Sequence, residues 1–98
     1  MYKIMLCCSA GMSTSMLVRK MEQAAEANNI SATIEAHGAD LFDQKQGEYD
    51  VILLGPQVGY MKESLAARAE GKPVEVINPM DYGMQNGEKV LNWAISLI

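Results

Sequence analysis

Two short runs without a polar side chain, Ile4 to Cys7 in "YKIMLCC" and Val51 to Leu54 in "DVILLG", constrain this chain more than anything else in it. Four apolar residues in a row leave no face for water, which suits a strand covered on both sides, as the central strands of a parallel sheet are. Each run leads into helical spacing. After the first, Leu17, Met21 and Ala24 or Ala25 recur at helical intervals with Arg19, Lys20, Glu22, Gln23 and Glu26 on the other side, until Asn28-Asn29 stops the pattern. After the second, Val58, Met61, Leu65 and Ala69 step in the same way, and Gly71 with Pro73 ends the helix.

Two further strands complete the set. "ISATIEA" alternates Ile30, Ala32, Ile34 and Ala36 with Ser31, Thr33 and Glu35, as a half-exposed edge strand does, and Val74 to Ile77 forms a strand of intermediate character. Ala39 to Gln44 is read as a helical turn, "MDYGMQNG" as turns, and Val90, Leu91, Ala94, Ile95 and Ile98 as the stripe of a last helix. Alternating strands and helices predict right-handed βαβ units. The expectation is a single small α/β domain over residues 1–98, with a four-stranded parallel sheet in the order 2-1-3-4 and helices on both faces. A chain of 98 residues buries one core and not two. In such a sheet, ligands bind beyond the carboxyl ends of the strands where the order reverses, here between strands 1 and 3. The loops that meet there are "CSAGMST" and "GPQVGY".

Eight Lys and Arg against twelve Asp and Glu leave a net charge of −4, the wrong sign for gripping phosphate backbones or anionic lipid. Nucleic acid is therefore not an expected partner. With no basic leader and no long apolar stretch, direct membrane insertion is not expected either. Cys7 and Cys8 are adjacent, and a bridge between neighbours closes a strained ring, so free thiols in a reducing, cytoplasmic compartment are the better reading.

The first loop leaves a strand, contains glycine and small hydroxylated residues, and opens straight into a helix. Such a loop aims several backbone N–H groups at one point, and the helix dipole adds about half a positive charge. Ser9, Ala10, Gly11, Met12, Ser13, Thr14 and Ser15 are accordingly the candidate anion cradle, with phosphate as its natural guest. A thiol beside it gains thiolate character and becomes a nucleophile. Cys7 completes the apolar strand and is assigned to the core, whereas Cys8, read as the first loop residue, is assigned the chemistry. The nearest acidic residue in sequence is Glu22. No paired carboxylates or metal-ligand cluster are evident, so neither a metal nor another cofactor is expected.

Other residues carry weaker signals. Gly55, Pro56 and Gln57 fall in the loop that faces Cys8, and Tyr82 follows strand 4 on the same side, all candidates for flanking or partner contacts; Tyr60 is a further contact candidate. Met12, among eight methionines, suits an adaptable surface beside the thiol. His37, the only histidine, ends the edge strand and is read as a solvated or structurally satisfied side chain.

Thiol-over-cradle sites include the low-molecular-weight cysteine phosphatases, which place Arg six residues after the nucleophile as an electrophilic clamp. Thr14 occupies that position here, and no Cys-x-x-C pair exists. A stand-alone phosphatase-like or thiol redox enzyme, or a non-catalytic module on the same fold, remain the alternatives. "CSAGMSTS", "LLGPQVGYM" and "KPVEVINPMDYG" together resemble the cytoplasmic IIB component of the lactose/cellobiose (chitobiose) class of the bacterial sugar phosphotransferase system, and the likeness spans essentially the whole chain. The resemblance implies a sheet architecture similar to that of the low-molecular-weight tyrosine phosphatases. It also implies a relay: phosphohistidine of a IIA partner gives its phosphoryl group to Cys8, which passes it to a sugar, a β-linked disaccharide such as cellobiose, chitobiose or lactose, held by the membrane component IIC. The cradle would hold the phosphoryl oxygens through backbone amides from Ser9 to Ser15.

Overall fold

In a computed structural model that describes residues 1–8 and 11–98, the two polar-free runs lie side by side. Strand β1 (Tyr2–Cys8) pairs in parallel with β3 (Val51–Leu54), from Ile4 opposite Val51 to Cys7 opposite Leu54. Strand β2 (Ala32–Gly38) lies along the other side of β1, and β4 (Val74–Val76) along the outer side of β3. The order is β2-β1-β3-β4, as the apolar runs predict.

Alternation along β1 divides the core in two. Ile4 and Leu6 join Leu53 beneath α1 (Gly11–Ala27) and α5 (Gly87–Leu97), where Leu17, Met21, Leu91 and Ala94 are fully buried. Met5 and Cys7 point the other way, toward Phe42 of α2 (Phe42–Lys45), Tyr49, and Leu65 of α3 (Lys62–Ala67). Helices therefore cover both faces, as the apolar runs require.

The two helices of the first face approach closely at Gly87. A Cβ there would lie 2.5 Å from the carbonyl carbon of Lys20 and 2.6 Å from the nitrogen of Met21, inside the van der Waals envelope of the α1 backbone. Only glycine fits without displacing a helix. Gly87→Ala is expected to cost about 1–3 kcal/mol in urea unfolding, the usual penalty of an overpacked contact; an unchanged midpoint would refute the tight crossing.

Three local readings are corrected. The edge strand spans Ala32–Gly38 rather than 30–36, because Asn29 turns with φ 55° and the Ile30 N–H bonds back to the carbonyl of Ala25 at 2.8 Å, closing α1 instead of starting a strand. The helix read from Val58 to Ala69 is a 3-10 stretch over Pro56–Met61 followed by α3, since Val58 departs from helical geometry (φ −116°, ψ 16°). The segment read as turns after Pro79 contains α4 (Pro79–Gly83), with Pro79 in its first turn and Asn78 Oδ1 accepting from the N–H groups of Met80 and Asp81.

Candidate functional site

The carboxyl end of β1 runs directly toward α1, whose first turn contains no acidic residue. Ser9 and Ala10 of the predicted cradle lie outside the described residues; Gly11, Met12, Ser13, Thr14 and Ser15 fall in the opening of α1, with Ser15 exposed. Helix α1 itself is held by Leu17 and Met21 against Leu6 and Ile4. Local sequence explains the arrangement: the apolar run ends at Cys7, and the Leu17, Met21 and Ala24 stripe pulls the following helix back over the sheet.

Cys8 is the last residue of β1 rather than the first of the loop, and it is 1% exposed. The reading of Cys8 as the first loop residue is corrected accordingly, because ladder pairing with Gly38 extends the strand one residue further than the apolar run. Cys7 stays core, but strand alternation separates the two thiols more sharply than a strand-to-loop boundary would. Cys7 packs on the α2 and α3 side with Met5, Phe42 and Leu65, whereas Cys8 shares the α1 side with Ile4 and Leu6.

Burial, with negative charge on Cys8 as the lesser cause, pushes the Cys7 thiol from 9.0 up to about 12. Tyr49 is shifted upward as well, by burial first and then by its hydrogen bond to Glu35 and the charges of Glu35 and Glu48. Both groups keep their protons more tightly when folded, so their contribution to stability is complete below the unfolded values and is lost as pH rises through the folded ones. Stability should therefore fall as pH climbs from 9.0 toward about 12. Cys7→Ala should flatten part of that decline, measured as the urea midpoint against pH; identical slopes would refute the buried-thiol account.

The facing loop is tied to β1 directly. The Gly55 N–H donates to the Cys7 carbonyl at 2.8 Å, and the Ile77 N–H donates to the Leu54 carbonyl at 2.9 Å, so the ends of β1, β3 and β4 form one continuous rim. Gly55 is buried, Pro56 half-buried and Gln57 exposed. Gln57 Nε2 donates to the Tyr82 hydroxyl at 3.2 Å, joining two residues that sequence topology placed on the same side. Tyr60 is 84% exposed beyond them.

Other charged and aromatic groups sort away from Cys8. His37 lies within β2, and its Nε2 shares a 3.1 Å hydrogen bond with the Tyr49 hydroxyl, which donates to Glu35. The register that sets His37 opposite Cys7 places it on the sheet face away from Cys8, so it is the structurally satisfied side chain of the two readings. Sequence reasoning missed Asp40, whose carboxylate folds over Gly38, the register partner of Cys8. It follows β2 by two residues, and only the strand order reveals that β2 ends beside β1. Among the described residues no group of three or more His, Cys, Asp or Glu could hold a metal.

A parallel sheet with helices on both faces, a cysteine at the end of its first central strand, a helix following it and a neighbouring loop bonded to the same rim defines a small α/β protein of the switch-point type. Its relatives are specific. The chain belongs to the family described as PTS system, lactose/cellobiose-specific IIB subunit, which matches residues 3–92. It is 47% identical over 102 residues to the galactose-specific EIIB component of the phosphotransferase system of Lactococcus lactis subsp. cremoris MG1363, covering 97% of this chain and 94% of that one. The cellobiose-specific EIIB component of Lactococcus lactis subsp. lactis IL1403 matches with the same identity and coverage. The oligo-beta-mannoside-specific EIIB component of Bacillus subtilis 168 is 42% identical over 100 residues, covering 100% and 97%.

Solved structures agree. The lactose-specific IIB domain from Streptococcus pneumoniae superposes with a TM-score of 0.88 at 19% identity over 98% of this chain and 96% of that one, a likeness of fold. The cellobiose-specific IIB protein from Borrelia burgdorferi superposes with a TM-score of 0.82 at 46% identity, covering 98% and 90%. The chain is thus a IIB phosphoryl carrier and sugar phosphotransferase, and membership implies IIA and IIC partners. The sugars named for the relatives differ, so the family does not fix one for this chain. No helix among the described residues is long and apolar enough to cross a membrane.

Proposed function

We propose that Cys8 is the residue that carries the phosphoryl group, within a single carrier domain spanning residues 1–98. The observation that carries this reading is the placement of the two thiols: Cys7 is locked into the core behind β1, and Cys8 ends the strand where α1 begins. The Cys8 thiolate attacks the phosphorus of a phosphohistidine on IIA, the P–N bond breaks, and the histidine leaves with its electron pair. In the second half, a hydroxyl of a sugar held by IIC attacks the phosphorus, the S–P bond breaks, and the hydroxyl proton passes to a base on the partner. Backbone amides of Ser9, Ala10, Gly11, Met12, Ser13, Thr14 and Ser15 hold the phosphoryl oxygens, since transfer of this kind depends on positioning and charge stabilisation.

Thr14 stands where a hydrolytic relative needs an arginine, which favours retention of the phosphocysteine over its loss to water. Gly55, Pro56, Gln57 and Tyr82 form the rim against which IIA and IIC dock in turn. The substrate class is a β-linked disaccharide, and the protein works in the cytoplasm, peripheral to the membrane through IIC. Incubation with phosphoenolpyruvate and the upstream transfer proteins should add one phosphoryl group, located by mass spectrometry on the peptide containing Cys8. Phosphate found on His37, or none on the cysteine peptide, would overturn the assignment.

A further inference from the structure

A cavity of about 390 Å3 opens at the β4 edge, between the end of β4, α4 and α5, and neither cysteine lines it. Its size lies within the range of small-ligand sites, about 300–1,000 Å3. Val76, Ile77 and Val90 supply apolar lining, and the half-buried ring of Trp93 forms a wall. The polar groups sit around this apolar part. The Asp81 carboxylate, its side chain only 15% exposed, pairs with Lys89 Nζ at 3.6 Å, well beyond the roughly 2.7–2.9 Å of a tight charge-assisted bond. Asn78 lends its Oδ1 to the N–H groups of Met80 at 2.8 Å and Asp81 at 3.4 Å. Its Nδ2 amide, and the indole N–H of Trp93, make no hydrogen bond among the described residues.

The chemistry of that lining selects its guest. Asp81 and Lys89 cancel in formal charge, which disfavours a free phosphate, a nucleotide or a cation relative to a neutral molecule. A fatty or fully apolar ligand would bury the carboxylate against hydrocarbon, at a high desolvation cost. Neighbouring hydroxyls on a ring satisfy all of it: they donate to the Asp81 carboxylate, accept from the Asn78 amide and the Lys89 ammonium, and leave a C–H face to lie on the Trp93 ring. We propose that this cavity is a second, non-transferring site that binds a neutral saccharide of mono- or disaccharide size.

Its position gives the site a consequence. Asp81 immediately precedes Tyr82, whose hydroxyl takes the Gln57 amide, so a saccharide drawn to Asp81 acts on α4 one residue from the bond that joins α4 to the loop beside β1. The purpose of the site, reporting saccharide to the relay, rests on the phosphoryl-carrier reading; the binding itself does not.

Trp93 is the only tryptophan in the chain, so intrinsic fluorescence reads this cavity directly. Titration with cellobiose, lactose and N,N′-diacetylchitobiose should give, for at least one of them, a saturable emission change with a midpoint in the millimolar range, and glycerol none. Asp81→Ala should weaken the response at least about tenfold. Lys89→Met, at an exposed position that leaves folding intact, should weaken it in the same direction, and Cys8→Ser should not alter it. No saturable change, a response that survives both cavity substitutions, or one lost in Cys8→Ser would each overturn the proposal. Failure of Cys8 to accept phosphate in a parallel assay, with saccharide binding intact, would overturn the relay reading alone.

Discussion

Cys8→Ser is expected to lower the rate of phosphoryl acceptance from the upstream proteins by at least about 1,000-fold, because a serine hydroxyl is an intrinsically far weaker nucleophile than a cysteine sulfur. Cys7→Ser should stay within about threefold of the parent rate, an effect worth less than about 1 kcal/mol. Its cost should appear in stability, since the new hydroxyl lies among Met5, Phe42, Leu54 and Leu65. Rapid-quench measurement of phosphoprotein formation, with urea unfolding of the same samples, separates the two effects. Equal loss of acceptance in both variants would mean that the sheet face does not decide which sulfur reacts.

The second large effect is on the fold. Phe42, the only phenylalanine, is fully buried among Met5, Tyr49, Ile52 and Leu65, and its ring lies 5.6 Å from the guanidinium carbon of Arg68. Phe42→Ala is expected to destabilise the protein by about 3–5 kcal/mol, a large share of the roughly 5–15 kcal/mol of a typical domain. Melting should drop by about 4–8 °C for each kcal/mol. Calorimetry that found less than about 1 kcal/mol lost would refute the view that this short helix closes the second core.

Phe42 also shows where sequence reasoning runs thin. Its helix has only four residues, Phe42–Lys45, between 3-10 turns, so no periodicity announces it, and a single large side chain supplies the anchor. The opposite case is Val51 to Leu54, where four apolar residues allowed only a central strand and hence the order β2-β1-β3-β4. Strand order placed Gln57 and Tyr82 on the same side of the sheet, and in the structure a 3.2 Å hydrogen bond joins them.

Boundaries depended on groups whose effect is invisible along the chain. Ile30 looks like the first residue of a strand, but its N–H closes α1, and only the left-handed turn at Asn29 explains why. Cys8 looks like a loop residue until its pairing with Gly38 extends the strand by one position. Asp40, Trp93 and the Asp81–Lys89 pair gave no local signal because their meaning comes from elements brought together by the fold. Asn78 and Lys89 stand eleven residues apart in sequence and line the same cavity.

The opposite orientation of Cys7 and Cys8 has a consequence for oxidation. A sulfenic acid formed on Cys8 is ordinarily rescued when a nearby thiol condenses with it to a disulfide, which a reductase can open. Here the neighbouring sulfur is behind the sheet, protonated and packed in hydrocarbon, and the two side chains cannot meet without breaking β1. Recovery of an oxidised carrier therefore depends on a thiol from outside the molecule, so the abundance of small cellular thiols sets how long such damage persists.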